Sequence, residues 1–325
     1  MNDALRIRPG RANEATRLRA IRLEALLDSP DAFGDTYEEC LAWDDATWER
    51  YAREWNFYFA ELDGEVVGMA RGEAHHSRPD SRWLFAMYVA PRARGTDAAR
   101  GLVDVVSAWA VCEGVDALYL YVSKAVPRAK AFYEKVGFVA TGPSLCMSRD
   151  ANLVCEEMRR DLSDRAFRVE QVPAARLYDL RRRVLREDRA DVDVTNPGDD
   201  LATSRHYAGV VGDRVVVSAS FYAAPAPATV PTAGPTAEPS FQLRYMACDD
   251  DLRGKGLGGR VLTHALDDLV RQGARRAWAY ARVGARDFYR RAGWSEVDDS
   301  LFVSAETGID HVVIYRDLAS TSTLG

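Results

Sequence analysis

The chain has 325 residues, which at about 150 residues per domain is enough for two domains that each bury a core. Its apolar share of 47% and charged share of 28% are those of a globular protein and exclude wholesale disorder. With 43 basic against 49 acidic residues and a net charge of −6, the chain lacks the electrostatic driver for non-specific binding to nucleic acid or an anionic membrane.

The first eight residues lack the apolar run of a signal peptide, and no stretch reaches the roughly 18 apolar residues of a membrane span. The expectation is a cytoplasmic protein. Five cysteines (Cys40, Cys112, Cys146, Cys155, Cys248) form no CxxC pair and no Cys/His cluster at zinc spacing, so they are expected as reduced thiols, with no metal site.

In chain order, an opening strand near Ala4-Leu-Arg-Ile7 precedes a helical segment containing Ser29-Pro-Asp-Ala-Phe-Gly34. Trp43, Trp48, Tyr51, Trp55 and Tyr58 recur there at near-helical spacing, which predicts core packing, with an aromatic acceptor wall as the alternative. His75-His76 reads as a loop tip. A strand ending at Val89 leads to the turn Arg94-Gly-Thr-Asp-Ala-Ala99, then a helix, a strand and Ala131-Phe-Tyr-Glu-Lys-Val-Gly-Phe138.

The pattern then repeats. A second opening strand, Ala166-Phe-Arg-Val169, is followed by the Asn196-Pro-Gly-Asp-Asp200 loop, where Asp199 and Asp200 either receive a cationic amine or cap a helix. Residues 215–222 alternate after the Gly212-Asp213 turn as a hairpin arm. Five prolines in residues 223–240 predict a mobile loop, and Phe241 resumes a strand. The turn Arg253-Gly-Lys-Gly-Leu-Gly-Gly259 opens a helix of period 3.6 that Gly273 ends; a strand and Asp287-Phe-Tyr-Arg-Arg-Ala-Gly-Trp294 follow. Tyr133 and Tyr289 are 156 positions apart, and Met158-Arg-Arg-Asp-Leu162 matches Ile314-Tyr-Arg-Asp-Leu318. The expected division is a first domain of residues 1–162 and a second of 163–325.

A basic, glycine-rich turn before a helix suits an anion, because unpaired N–H groups and the helix dipole converge and glycine lets a phosphate approach. Gly254, Gly256 and Gly259 also satisfy GxGxxG, which keeps a dinucleotide oxidoreductase open, although Cys248-Asp-Asp-Asp-Leu252 separates the strand from the turn. A structural glycine turn is the third reading.

Turn, helix, strand and the Phe-Tyr-x-x-x-Gly-aromatic segment together resemble the GCN5-related N-acetyltransferases, whose Arg/Gln-x-x-Gly-x-Gly/Ala signature is met by Arg253, Gly256 and Gly258. The likeness covers almost the whole chain twice, in a tandem arrangement like that of mycothiol synthase. It implies an α+β fold of two acyl-coenzyme A N-acyltransferase domains, each a mixed, mostly antiparallel sheet flanked by helices. It also implies acetyl transfer from acetyl-coenzyme A to the primary amine of a small molecule, by direct attack in a ternary complex. Arg253, Gly254, Lys255, Gly256, Leu257, Gly258 and Gly259 would hold the pyrophosphate. Backbone at Met246, Ala247 and Cys248 would meet the thioester carbonyl. Tyr289 would protonate the leaving thiolate, which suits a phenol of pKa about 10; a packed aromatic is its alternative role. Tyr133 holds the same place in the first copy.

In that copy Asp97 stands where the signature wants its first glycine, so a carboxylate occupies the phosphate's position. Catalysis is therefore expected in the second copy. No carboxylate on residues 241–247 offers a general base; Gln242, Arg244 and Tyr245 are what that strand has, and His206 and His311 read as core histidines. A non-catalytic acyl-coenzyme A sensor or scaffold remains the rival of another class. Monomer and homodimer are both compatible with the sequence.

Overall fold

The computed structural model describes residues 5–147, 149–186, 192–231, 239–305 and 307–318. Contacts divide the chain into residues 1–166 and 167–325.

The first unit begins with β1 (Arg6–Pro9), α1 (Ala15–Asp28), α2 (Tyr37–Leu41) and α3 (Asp45–Glu54). Thr36 and Glu39 form a capping box on α2, and Asp44 accepts from Thr47 N at the start of α3, so side chains satisfy amides that a helix start leaves open. Strands β2 (Asn56–Leu62), β3 (Glu65–His75) and β4 (Arg78–Val89) follow as a meander, then α4 (Ala98–Cys112), β5 (Ala117–Ser123), α5 (Pro127–Lys135), β6 (Phe138–Met147) and β7 (Asp150–Asp161). The seven strands run in the order β1-β2-β3-β4-β5-β7-β6. Only β4 and β5 are parallel neighbours, joined through Arg82↔Leu118 and Trp83↔Tyr119. Trp43, Trp48, Tyr51 and Trp55 form a chain of ring contacts 4.2–5.0 Å apart around α3, whereas Tyr58 lies on β2, so the aromatic run crosses from helix to strand.

The second unit repeats the plan: β8 (Arg168–Gln171), a short α6 (Tyr178–Leu180) running into a π-helical turn over Arg181–Leu185, then β9 (Arg205–Val211), β10 (Arg214–Ala223), β11 (Ser240–Cys248), α7 (Leu257–Arg271), β12 (Arg276–Arg282), α8 (Arg286–Arg291), β13 (Ser295–Glu296), β14 (Phe302–Val303) and β15 (Asp310–Asp317). Its sheet order is β13-β15-β12-β11-β10-β9-β8, with β14 also paired to β15. The parallel pair is now β11 with β12, and Gln242↔Trp278 takes the place of Trp83↔Tyr119, each residue 159 positions later. Both units are thus α+β, each with one mixed, mostly antiparallel sheet. Part of the proline-rich segment, residues 232–238, lies outside the described residues.

One face of the second sheet carries a buried ion pair. Arg181, fully buried, donates to Asp199 at 2.9 Å and to Ser220 Oγ at 2.8 Å, while Tyr222 donates to Asp199 at 2.5 Å. The opposite face is covered by α7, to which Tyr207 is tied by a 2.6 Å hydrogen bond to Asp268.

Candidate active site

Strands β11 and β12 are joined at three register positions, Ser240↔Arg276, Phe241↔Ala277 and Gln242↔Trp278, although both continue beyond them. Past Gln242 they part. The cause is local: the β10–β11 register slips between Ser218 and Ser220, and Tyr245 on the bulge adopts φ +53. A bulge adds one residue to one strand and bends it, and a non-glycine residue in the left-handed region costs roughly 1–2 kcal/mol, so the deflection is held by the surrounding packing. Between the parted strands lies a cleft of about 1200 Å³. Met246, Ala247 and Cys248 line one wall, Ala279 to Arg282 the other. The edge of β11 facing the cleft has no ladder partner past Gln242, which leaves backbone polar groups to meet whatever enters.

The cleft runs onto the turn before α7. Gly254 and Gly256 have φ of +80° and +77°, and an added Cβ at Gly254, Gly256 or Gly259 would meet open space, with no atom within 4 Å. The first hydrogen bond of α7 is donated by Arg260 to Gly256 O, so the N–H groups of Leu257, Gly258 and Gly259 precede the intrahelical ladder at the positive end of a 15-residue helix. Gly258 serves packing: a Cβ there would sit 3.2 Å from Met246 Cε and 3.4 Å from Phe288. Arg253 pairs with Asp250 at 2.7 Å on the surface. Lys255 belongs to the same turn. This donor set, two left-handed glycines and a helix end opening from a splayed cleft, fits a diphosphate ester with a narrow tail.

Tyr289 of α8 lines the cleft and is 6% exposed, packed edge-on against Phe288 with centroids 5.0 Å apart and against Trp294 at 5.6 Å. Burial pushes its phenol well above the usual tyrosine range. Tyr133 is buried likewise between Phe132 and Phe138, and burial raises it in the same direction. The packed-aromatic role and the cleft-lining role therefore coexist at Tyr289.

The first unit shares the scaffold and lacks the cradle. Gly95 matches Gly254 with φ +86, but Asp97 in the place of Gly256 has φ −76. Arg94 donates to Val89 O and is paired with Asp28 at the end of α1, and Arg128 lies 3.6 Å from the same carboxylate. Burial works against the Asp28 anion, but the hydrogen bonds from Ser29 and Arg94 prevail and hold it below the usual carboxylate range. An internal carboxylate thus occupies the signature arginine of this copy.

Several other sequence candidates have different surroundings. Asp199 is committed to Arg181, Tyr222, Tyr178 and Asn196 N, which removes it as a receiver of a cationic amine. Burial would raise its pKa, yet those hydrogen bonds outweigh it and keep the carboxyl ionised. His206 is a buried bridge between Ser220 Oγ and Asp199 O. His311 is buried and hydrogen-bonded as expected, its Nδ1 2.7 Å from Ile309 O, and it also lines the cleft. A carbonyl only accepts, so Nδ1 carries the proton and Nε2 is left to take one. Sequence reasoning passed over Arg282, which shares the cleft with His311. Its only advance signal was alternation along β12. Among the described residues no group of His, Cys, Asp and Glu is placed to hold a metal ion.

The model of the acetyltransferase (GNAT) family matches residues 22–138 and again 174–294. Among solved structures the chain is similar to an acetyltransferase of the GNAT family from Streptococcus pneumoniae, with 18% identity over 49% of this chain and 99% of that chain and a TM-score of 0.42. It is also similar to an N-acetyltransferase from Staphylococcus aureus, with 18% identity, 49% and 98% coverage and a TM-score of 0.40. A third is PaiA N-acetyltransferase from Thermoplasma acidophilum in complex with coenzyme A, with 15% identity, 49% and 99% coverage and a TM-score of 0.35. No curated protein matches the chain.

Proposed function

The chain belongs to the acetyltransferase (GNAT) family, and from that premise we propose that it is a cytoplasmic N-acetyltransferase whose second unit moves an acetyl group from acetyl-coenzyme A to the primary amine of a small molecule. The observation that carries this reading is the continuity of three features in one unit: the splayed β11–β12 cleft, the two left-handed glycines at its end and Tyr289 in its wall.

When bound, acetyl-coenzyme A supplies an acyl group activated as a thioester. The N–H groups of Leu257, Gly258 and Gly259, with Arg253 and Lys255, hold its pyrophosphate. Backbone at Met246 to Cys248 orients the acyl carbonyl and gives its oxygen a hydrogen bond that strengthens as negative charge grows there. An ammonium of pKa about 10 must first lose a proton, and His311 Nε2 is the cleft-lining acceptor. Tyr289 Oη delivers its proton to the departing sulfur; its raised pKa keeps that proton in place up to alkaline pH. In the first unit Asp28 and Asp97 stand against an anion, so that copy acts as a structural partner.

The test follows free thiol from acetyl-coenzyme A with a panel of amines. Wild type is expected to release thiol, and Tyr289→Phe to lower kcat by about 10²–10⁴-fold, the span of general acid catalysis, while cofactor binding is retained. Tight cofactor binding with no thiol release in either protein would establish the sensor reading instead.

A further inference from the structure

The cleft has a second, differently charged end. Ser220 faces Arg181 and is paired in register with Arg244, so Arg244 and Gln242 lie on the sheet face opposite α7. Gln242 pairs with Trp278, and alternation carries that face along β12 to Tyr280 and Arg282. Arg282 is opposite His311, and His311 is opposite Phe302, whose ring lies 5.1 Å from that of Tyr280. Gln242, Arg244, Tyr280, Arg282, Phe302 and His311 all line the cleft. Two guanidinium groups and an imidazole thereby share one face of the cleft with two aromatic rings, across the sheet from the helix end proposed for the cofactor phosphates. The described lining residues include no carboxylate, in a protein of net charge −6. The Arg282 guanidinium is half-buried and has no ion-pair or hydrogen-bond partner among the described residues.

The duplicated fold shows that the sheet itself does not require these cations. By strand register Arg244 corresponds to Phe85, Arg282 to Ser123 and His311 to Cys155. In the first unit the same face is closed by Trp83, with ring centroids 5.2 Å from Tyr119 and 4.7 Å from Tyr121, under the guanidinium of Arg78. Cations occur at these positions only in the copy that has the glycine cradle.

Resting on the transferase reading above, we propose that the acceptor is an amino carboxylate, whose carboxylate is bound by Arg282 with Arg244 and whose carbon skeleton lies against Tyr280 and Phe302. A guanidinium pairs with a carboxylate through charge-assisted, two-pronged hydrogen bonds, and the same charges repel a polyamine. The amine end then projects toward the thioester side of the cleft. The proton that it must lose passes to His311 Nε2, and the one needed by the leaving sulfur comes from Tyr289 Oη, so protons balance across the transfer.

The test measures calorimetric binding of matched probes to the full chain: butylamine against γ-aminobutyrate, phenethylamine against phenylalanine, with aminopropylphosphonate and spermidine. The carboxylates are expected to bind about ten- to hundred-fold more tightly than their parent amines, the worth of one charged hydrogen-bonded contact. Arg282→Gln should erase that preference and Arg282→Lys should keep part of it, with coenzyme A affinity and Tm unchanged in both. Equal binding within the pairs, preference for spermidine or the phosphonate, or a carboxylate preference that survives in both Arg282→Gln and Arg244→Gln would overturn the proposal. Thiol release measured on the same panel separates the two claims. Carboxylate-selective binding with no thiol release sinks the transferase and leaves the anion site. Thiol release with the parent amines favoured does the reverse.

Discussion

Tyr289 keeps its proton because its phenol is surrounded by Phe288, Trp294 and the cleft wall, where a phenolate would be poorly solvated. In the proposed reaction the acid form is the working form, so the rate would fall on the alkaline side only when this raised pKa is passed. The expected kcat–pH profile therefore shows no alkaline fall up to about pH 10; a fall centred near pH 8 would remove Tyr289 as the acid. Asp199 shows the opposite sign. Its folded pKa is depressed, so it contributes stability above its unfolded value near 3.9, which is lost as pH falls through the folded one. Asp199→Asn leaves the buried Arg181 guanidinium without its counter-charge and is expected to cost about 3–5 kcal/mol, read by urea unfolding at pH 7. A loss under 1 kcal/mol would show that the pair is better solvated than its burial indicates.

At the scale of the element, the turn before α7 works through backbone conformation. Gly256 at φ +77 opens α7 in a conformation that strains any side chain, and in the proposed complex such a side chain would also enter the space assigned to the phosphates. Gly256→Asp reproduces the first unit's Asp97. It is expected to weaken coenzyme A by about 100-fold through lost contacts and repulsion while α7 still forms, as circular dichroism would show; unchanged affinity would move the phosphate site elsewhere. The glycine cradle and Tyr289 were legible in the sequence because each is set within one short segment: a turn that opens a helix, and an aromatic pair before a helix-ending glycine. Arg282 and His311 were not. They meet only through the β12–β15 register across 29 positions, and the pairing of Arg94 with Asp28 spans 66. The bulge at Tyr245 was hidden for another reason, since left-handed geometry at a tyrosine has no compositional mark.

Across the whole molecule, one fold is present twice with two different fillings of the same register frame. In residues 1–166 Asp97 stands in the place of Gly256 and the sheet face is closed by stacked aromatics; in residues 167–325 the corresponding positions open into a cleft, while the signature arginine is paired with a carboxylate in both units, Arg94 with Asp28 and Arg253 with Asp250. The consequence is a stoichiometry, measured most directly by calorimetric titration of coenzyme A into the intact chain. The account predicts a single site per chain, weakened about 100-fold in Gly256→Asp and untouched in Arg94→Ala. Two equivalent sites, or a single site that vanishes in Arg94→Ala and persists in Gly256→Asp, would contradict it.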